Sequence, residues 1–407
     1  MLVCETPSLS RRRLLSAGGA LFGWAYLPAF ARAADRRDPR LVVIVLRGAL
    51  DGLSALAPIG DPDYAALHGD LALRRDGEHP ALPLDSFFAL NPAMPNFARL
   101  YGARQALAIH ACATNYRERS HFDGQDVLES GMPGPGHVES GWLNRALAAL
   151  PSGERVASRG LAVGAMPPLL LRGGAPVLGW APSGLPAASD DLNARLLDLY
   201  THRDPILAAA LRAGLDADQI AARQGMDGLK PGGDIALAMQ KAAEGAARLI
   251  NADDGPRVAA LAFDGWDTHA NEGGATGRLA QLLGGLDAAI AAFERELGPH
   301  WKDTAIIAIT EFGRTVRING TVGTDHGVGT LAFLAGGAIA GGRVIADWPG
   351  LRPADLYEGR DLKPTTDLRA ALKGVLADQF GLSPQTLAAV VFPETSALKP
   401  MAGLVNA

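Results

Sequence analysis

Leu41-Val42-Val43-Ile44-Val45-Leu46 is an unbroken apolar run, followed at once by Arg47-Gly48 and then by Asp51-Gly52. A continuous run rich in Val and Ile, rather than an alternating one, is what a strand buried on both faces requires. Such strands belong to parallel sheets covered by helices on either side. The polar residues just past the run matter equally, because in open α/β sheets ligands gather outside the carboxyl ends of the strands. The stretch therefore predicts an α/β fold with a mostly parallel central sheet, helices on both faces, and chemistry beyond the strand ends.

Other runs repeat the pattern. Ala106 to Ile109 leads towards Ser120-His121-Phe122-Asp123, and Arg159 to Val163 reads as a further strand. Val258 to Phe263 discharges into Asp264, Asp267 and His269, and Ala305 to Thr310 into Glu311 and Arg314. Asp325-His326-Gly327 stands a short loop ahead of Leu331 to Leu334. Between the runs, Gly277 to Leu297 places Leu279, Leu282, Leu283, Leu286, Ala289, Ile290 and Phe293 at the spacing of one buried helix face, and Leu368 to Phe380 repeats it. Met94 to Tyr101, Asp123 to Glu129 and Trp142 to Leu150 also read as helical.

From Pro182 to Gly233 helical stretches (Leu192 to Tyr200, Pro205 to Leu211) follow one another with no strand between. We read about 183–233 as a helical insertion on a single domain, 34–407; two surface helices of the main domain would give the same pattern.

The first residues are read as a targeting signal and set aside from the fold. Ser10-Arg11-Arg12-Arg13-Leu14-Leu15 resembles the twin-arginine export motif, the stretch to Phe30 is apolar, and Ala31-Arg32-Ala33 offers a cleavage site. Gly18, Gly19, Gly23 and Pro28 break the apolar stretch, so a retained membrane span is disfavoured. The expectation is a periplasmic protein beginning at Ala34, delivered by the twin-arginine machinery. Cys4 leaves with the signal and only Cys112 remains, so no internal disulfide can form. A net charge of −5 with no basic stripe argues against nucleic acid.

Each candidate residue has an ordinary structural role beside the chemical one. Asp51 can contribute a metal carboxylate from a rigid strand end, or simply bond its own turn. Arg47 can bind an anionic substrate or pair with a carboxylate. Ser120, at the start of a helix, can be a hydroxyl nucleophile activated by a metal, or can cap that helix; His121 is the alternative there, as ligand or general acid. Asp264, Asp267 and His269 concentrate three potential ligands in one short segment, which turn bonding explains only piecemeal. Glu311 can serve a cation and Arg314 an anionic oxygen, or the two can pair internally. Asp325 and His326 are two ligands, or a ligand and its orienting partner. Histidines such as His68 and His110 are expected to be structural.

The order of these motifs is itself informative. Twin-arginine signal, Asp51-Gly52, Ser120-His121-Phe122-Asp123, Ser140-Gly141-Trp142-Leu143, Asp267-Thr268-His269, Glu311-Phe312-Gly313-Arg314-Thr315 and Asp325-His326-Gly327 together resemble the bacterial family known as domain of unknown function 1501. That family is similar to the alkaline phosphatase and sulfatase superfamily. The resemblance implies one or two divalent cations (Zn, Mn or Mg) held by Asp51, Asp264, Asp267, His269, Glu311, Asp325 and His326. It implies a small or polymer-borne anionic ester as substrate. Phe312 stands where the superfamily has a histidine, and the sulfatase Cys/Ser-x-Pro-Ser-Arg motif is absent. The competing expectation is a non-catalytic periplasmic binding or assembly protein on the same fold.

Overall fold

Continuous apolar runs become strands. The computed structural model describes residues 37–136, 138–150, 160–164, 166–182, 189–223 and 234–406. In chain order its strands are β1 (Arg40–Arg47), β2 (Leu56–Ala57), β3 (Leu82–Pro83), β4 (Ala89–Leu90), β5 (Ala106–Ala113) and β6 (Gly160–Val163). They continue with β7 (Val177–Trp180), β8 (Val258–Asp264), β9 (Thr304–Ile309), β10 (Thr330–Ala335), β11 (Arg343–Ile345) and β12 (Thr366–Asp367). The signal segment 1–33, Ala34, Arg159, and stretches 183–188 and 224–233 of the expected insertion lie outside the described residues.

The main sheet has the order β11-β5-β10-β9-β1-β8-β6-β7, with β12 also paired to β5. β1 lies parallel between β8 and β9, and β6 lies parallel between β8 and β7. β10 is antiparallel to both its neighbours, β9 and β5, and β11 and β12 run parallel to β5. The sheet is thus mostly parallel with one reversed strand, a mixed sheet rather than a purely parallel one. The reversal positions the site. It brings the beginning of β10 to the same edge as the ends of β1, β8 and β9, so residues that precede β10 meet residues that follow the others.

Every side chain from Leu41 to Leu46 is fully buried, and successive ones point to opposite faces. Val42, Ile44 and Leu46 share a core with the helices Pro95–Gly102, Ile235–Asn251 and Arg278–Leu297. Leu41, Val43 and Val45 share another with the helices Trp142–Ala148 and Leu368–Phe380. Burying each such side chain stabilises the fold by roughly 1.5–3 kcal/mol, so β1 is the shared wall of two cores. Within the expected insertion, helices Asp190–Arg203 and Pro205–Arg223 are present, and the second places Ala217, Ile220 and Ala221 in the first core. Among the described residues no helix is long and apolar enough to cross a membrane.

Candidate metal centre

Four loops meet at the carboxyl edge. The loop after β1 supplies backbone, the loop after β8 supplies Asp267 and His269, and the residues after β9 supply Glu311 and Arg314. The segment before β10 supplies His326, and His121 opens the helix His121–Ser130 that follows β5. The loops approach closely only because glycine is present. Gly48 has φ +121, and a Cβ there would lie 2.4 Å from the backbone nitrogen of Asp267. A Cβ on Gly327 would lie 2.4 Å from the carbonyl of Arg314.

Three imidazoles and one carboxylate converge. His121 Nε2 lies 2.9 Å from His326 Nε2, and His269 Nε2 lies 3.0 Å from the same atom. Asp267 Oδ1 is 3.0 Å from His269 Nε2 and 3.1 Å from His326 Nε2, while its Oδ2 is 3.4 Å from His121 Nε2. His121, Asp267 and His326 have the spacing of a ligand set, and His269 touches two of them. The far nitrogen of each ring is engaged as well. His326 Nδ1 lies 3.0 Å from the carbonyl oxygen of Arg119, His121 Nδ1 2.9 Å from Glu311, and His269 Nδ1 3.4 Å from Asp325. A carbonyl only accepts, so His326 carries its proton on Nδ1 and turns a lone pair at Nε2 towards the cluster. Ionised Glu311 and Asp325 impose the same tautomer on the other two. Lone pairs aimed at one another at these distances repel unless a cation lies among them. Zinc–nitrogen bonds of about 2.0–2.1 Å set tetrahedral ligands about 3.3 Å apart, so the donor set fits a divalent cation.

The surroundings fix these groups. Burial opposes ionisation of Asp267, but Arg314, then His326 and the other histidines, hold its carboxyl below the usual carboxylate range. The hydrogen bond to Glu311 raises His121 above the ordinary imidazole range, and burial lowers His326. Glu311 is buried and accepts from Gly48 N–H, Thr310 Oγ1, His121 and Gln125. Arg314 is fully buried and donates to Asp267, to the carbonyls of Ala49 and Trp266, and to that of Thr324. It ties three loops behind Asp267, so it meets the carboxylate and not the open face. His121 stacks on Phe312 at 5.0 Å. Phe312 thus forms part of the wall that supports this imidazole.

The other expected residues lie around or away from this cluster. Ser120 precedes His121 and its side chain makes no capping bond; its backbone N–H donates to Tyr116 Oη. Asp325 sits behind His269 and accepts from Asn319. Asp51 is buried in an ion pair with His68 at 3.2 Å and caps a short turn through Leu53 N–H. Asp264 lines a different cleft of about 320 Å³ with Ile235, Met239 and Phe263. Arg47 donates to Glu129 at 2.6 Å and lines a cleft of about 330 Å³ beside Phe122 and Gln125. Sequence reasoning overlooked Arg119, whose carbonyl orients His326, although it directly precedes Ser120-His121. Nothing local marks Asp361, which grips Arg119 from far along the chain.

Fold and site together define an α/β protein with a histidine-rich, metal-type cluster at the carboxyl edge of its sheet. Residues 104–391 match the family described as protein of unknown function DUF1501, and the chain belongs to that family. No curated protein matches it. Among solved structures it is similar to Ps i-CgsB in complex with k-i-k-neocarrahexaose, with 12% identity over 89% of this chain and 74% of that one and a TM-score of 0.40. It is also similar to the phosphonate monoester hydrolase of Agrobacterium radiobacter, with 12% identity over 75% and 70% of the two chains and a TM-score of 0.31.

Proposed function

We propose that this protein is an exported hydrolase of phosphate or sulfate esters, of alkaline phosphatase-like type, working through one divalent cation. The observation that carries this reading is the convergence of three imidazole Nε2 atoms on Asp267, each ring held from behind by an acceptor. His121, His269, His326 and Asp267 would hold the cation, and three nitrogens favour zinc over magnesium, which prefers oxygen ligands. When bound, the cation supplies Lewis acidity at the ester oxygen and lowers the pKa of the attacking hydroxyl. Ser120 brings an uncapped hydroxyl beside His121. The first-turn amides of the helix it precedes favour an anionic oxygen there. The cleft lined by Arg47, Phe122 and Gln125 would seat the alcohol portion, since Gln125 also touches Glu311, the partner of His121. With Asp51 committed to His68 and Asp264 to another cleft, the described residues supply one centre. We therefore propose one cation.

Elemental analysis of the purified protein is expected to give one equivalent of zinc, with turnover of a chromogenic phosphate or sulfate ester. His326→Ala is expected to abolish both. No turnover with zinc, manganese or magnesium would overturn the hydrolase and favour a non-catalytic periplasmic binding protein. Full activity of Ser120→Ala would make water the nucleophile.

The same proposal places the protein in the periplasm, exported by the twin-arginine machinery and beginning at Ala34. Replacing Arg11 and Arg12 by lysine is expected to strand precursor in the cytoplasm. Normal periplasmic accumulation of that variant would refute this route.

A further inference from the structure

We infer that Asp361 is a positioning residue for His326, acting through two arginines to fix which imidazole nitrogen carries the proton. The inference rests on the metal centre proposed above. Asp361 is fully buried, and its Oδ2 accepts from Arg119 Nε at 2.8 Å, with Arg119 Nη2 at 2.7 Å. Its Oδ1 pairs with Arg360 Nε at 3.1 Å. Both arginines end on His326. The backbone oxygen of Arg119 faces His326 Nδ1, and Arg360 Nη2 donates to the carbonyl of His326. One carboxylate thus hydrogen-bonds the arginine whose carbonyl meets the imidazole and forms an ion pair with the arginine that meets the backbone of His326.

The conformation of Arg119 indicates that the grip is needed. Its φ is +60, in the left-handed region that non-glycine residues occupy at a cost and that persists where the surroundings over-determine it. Here the surroundings are Asp361, Glu358 at 2.6 Å from Arg119 Nη2, and the ring of Tyr357 below the guanidinium. Asp361 is itself held by backbone bridges to Thr315 and Tyr357, next to the bridge between Arg314 and His326. The left-handed turn at Arg119 aims its carbonyl at His326.

The chemical consequence is a choice between two states of the cluster. With the proton on Nδ1, His326 offers a lone pair at Nε2 to a cation. With the proton on Nε2, it would donate to Asp267 or to a neighbouring imidazole and offer no lone pair to a cation. That second state competes with metal. A carbonyl fixed at Nδ1 excludes it, as outer partners of metal-binding histidines do.

Asp361→Asn keeps the shape and removes the charge; Arg119→Ala removes the side chain and disfavours the turn; Arg119→Gly removes the side chain but tolerates the turn. Two readouts separate positioning from mere support: the tautomer of His326 in the metal-free protein, from long-range 1H–15N spectra of histidine-labelled samples, and zinc affinity by chelator competition. The wild type is expected to show His326 protonated at Nδ1. Asp361→Asn and Arg119→Ala are expected to populate the Nε2–H form and to bind zinc about 10- to 100-fold more weakly. Arg119→Gly is expected to retain more affinity than Arg119→Ala. A wild-type His326 protonated at Nε2 would overturn the proposal whether or not the variants fold. So would folded Asp361→Asn with an unchanged tautomer and unchanged zinc affinity. If the tautomer responds as expected while no ester is hydrolysed, the positioning role stands and the hydrolase reading alone fails.

Discussion

At the scale of single residues, the polar groups beneath the cluster divide into those that are ionised and those that are not. Asp51, His68 and Ser54 form one buried knot: Ser54 Oγ lies 2.7 Å from His68 Nε2, and His68 Nδ1 faces the carbonyl of Val316. Burial opposes charge on both partners, yet their mutual attraction holds Asp51 below and His68 above their ordinary ranges. Glu272 makes no such ion pair among the described residues, and the charge of Arg314 favours its ionised form only weakly. It accepts from Thr324 Oγ1, and burial, with repulsion from Asp51, pushes its carboxyl up to about 8. Below the unfolded value of 4.5 both folded and unfolded chains hold this proton, and it has no effect on stability. Between 4.5 and about 8 the unfolded chain releases a proton that the folded chain keeps, so stability falls as pH rises, and above about 8 the loss is complete. The slope from this group is at most about 1.4 kcal/mol per pH unit. Glu272→Gln is expected to remove that slope. Urea unfolding at pH 5, 6.5 and 8 measures it, and identical pH profiles for variant and wild type would rule out the assignment.

At the scale of elements, most strands with unbroken apolar runs were legible to within a residue or two, whereas β5 runs four residues past the expected Ala106 to Ile109. Leu41 to Leu46, Val258 to Phe263, Ala305 to Thr310 and Leu331 to Leu334 all lie in or against strands of the main sheet, and the helix over Leu368 to Phe380 has the expected bounds. Burial on both faces leaves such a strong pattern because every position must be apolar. Short edge strands carry no such demand. β11 is partly exposed and β12 spans only two residues, and neither stands out in composition. The helix Ile235–Asn251 was missed although its faces differ clearly, with Met239, Ala243, Ala246, Ala247 and Ile250 on the buried side. Direction was the harder quantity. An apolar run looks the same parallel or antiparallel, so the reversal of β10 could not be read, although it explains why His326 precedes its strand while Asp267 and Glu311 follow theirs. The candidate ligands were legible for a related reason: histidine and aspartate beside strand ends are conspicuous. Their division of labour was not, because Glu311 and Asp325 stand behind His121 and His269 only after four loops have closed.

At the scale of the molecule, the cluster joins parts of the chain that share no local structure. His121 follows β5, Asp267 and His269 follow β8, and His326 precedes β10, so the candidate ligands come from both sides of β1 in the sheet order. An unfolded chain cannot present this set, because the segments meet only through the sheet. A cation that binds the folded state alone therefore adds its binding free energy to global stability, about 4 kcal/mol when its free concentration exceeds the dissociation constant a thousandfold. The effect should appear in the whole unfolding transition, since Arg314 and Glu311 couple the ligand loops to β1 and β9 through buried bonds. Chelator-treated protein is expected to melt several degrees below the zinc-loaded form, and adding zinc back should raise the melting temperature progressively with concentration. His269→Ala, which leaves the core untouched, is expected to lose most of that zinc-dependent gain while its metal-free melting temperature stays near that of the wild type. A melting temperature indifferent to zinc over several decades of concentration would mean that the three imidazoles hold no cation.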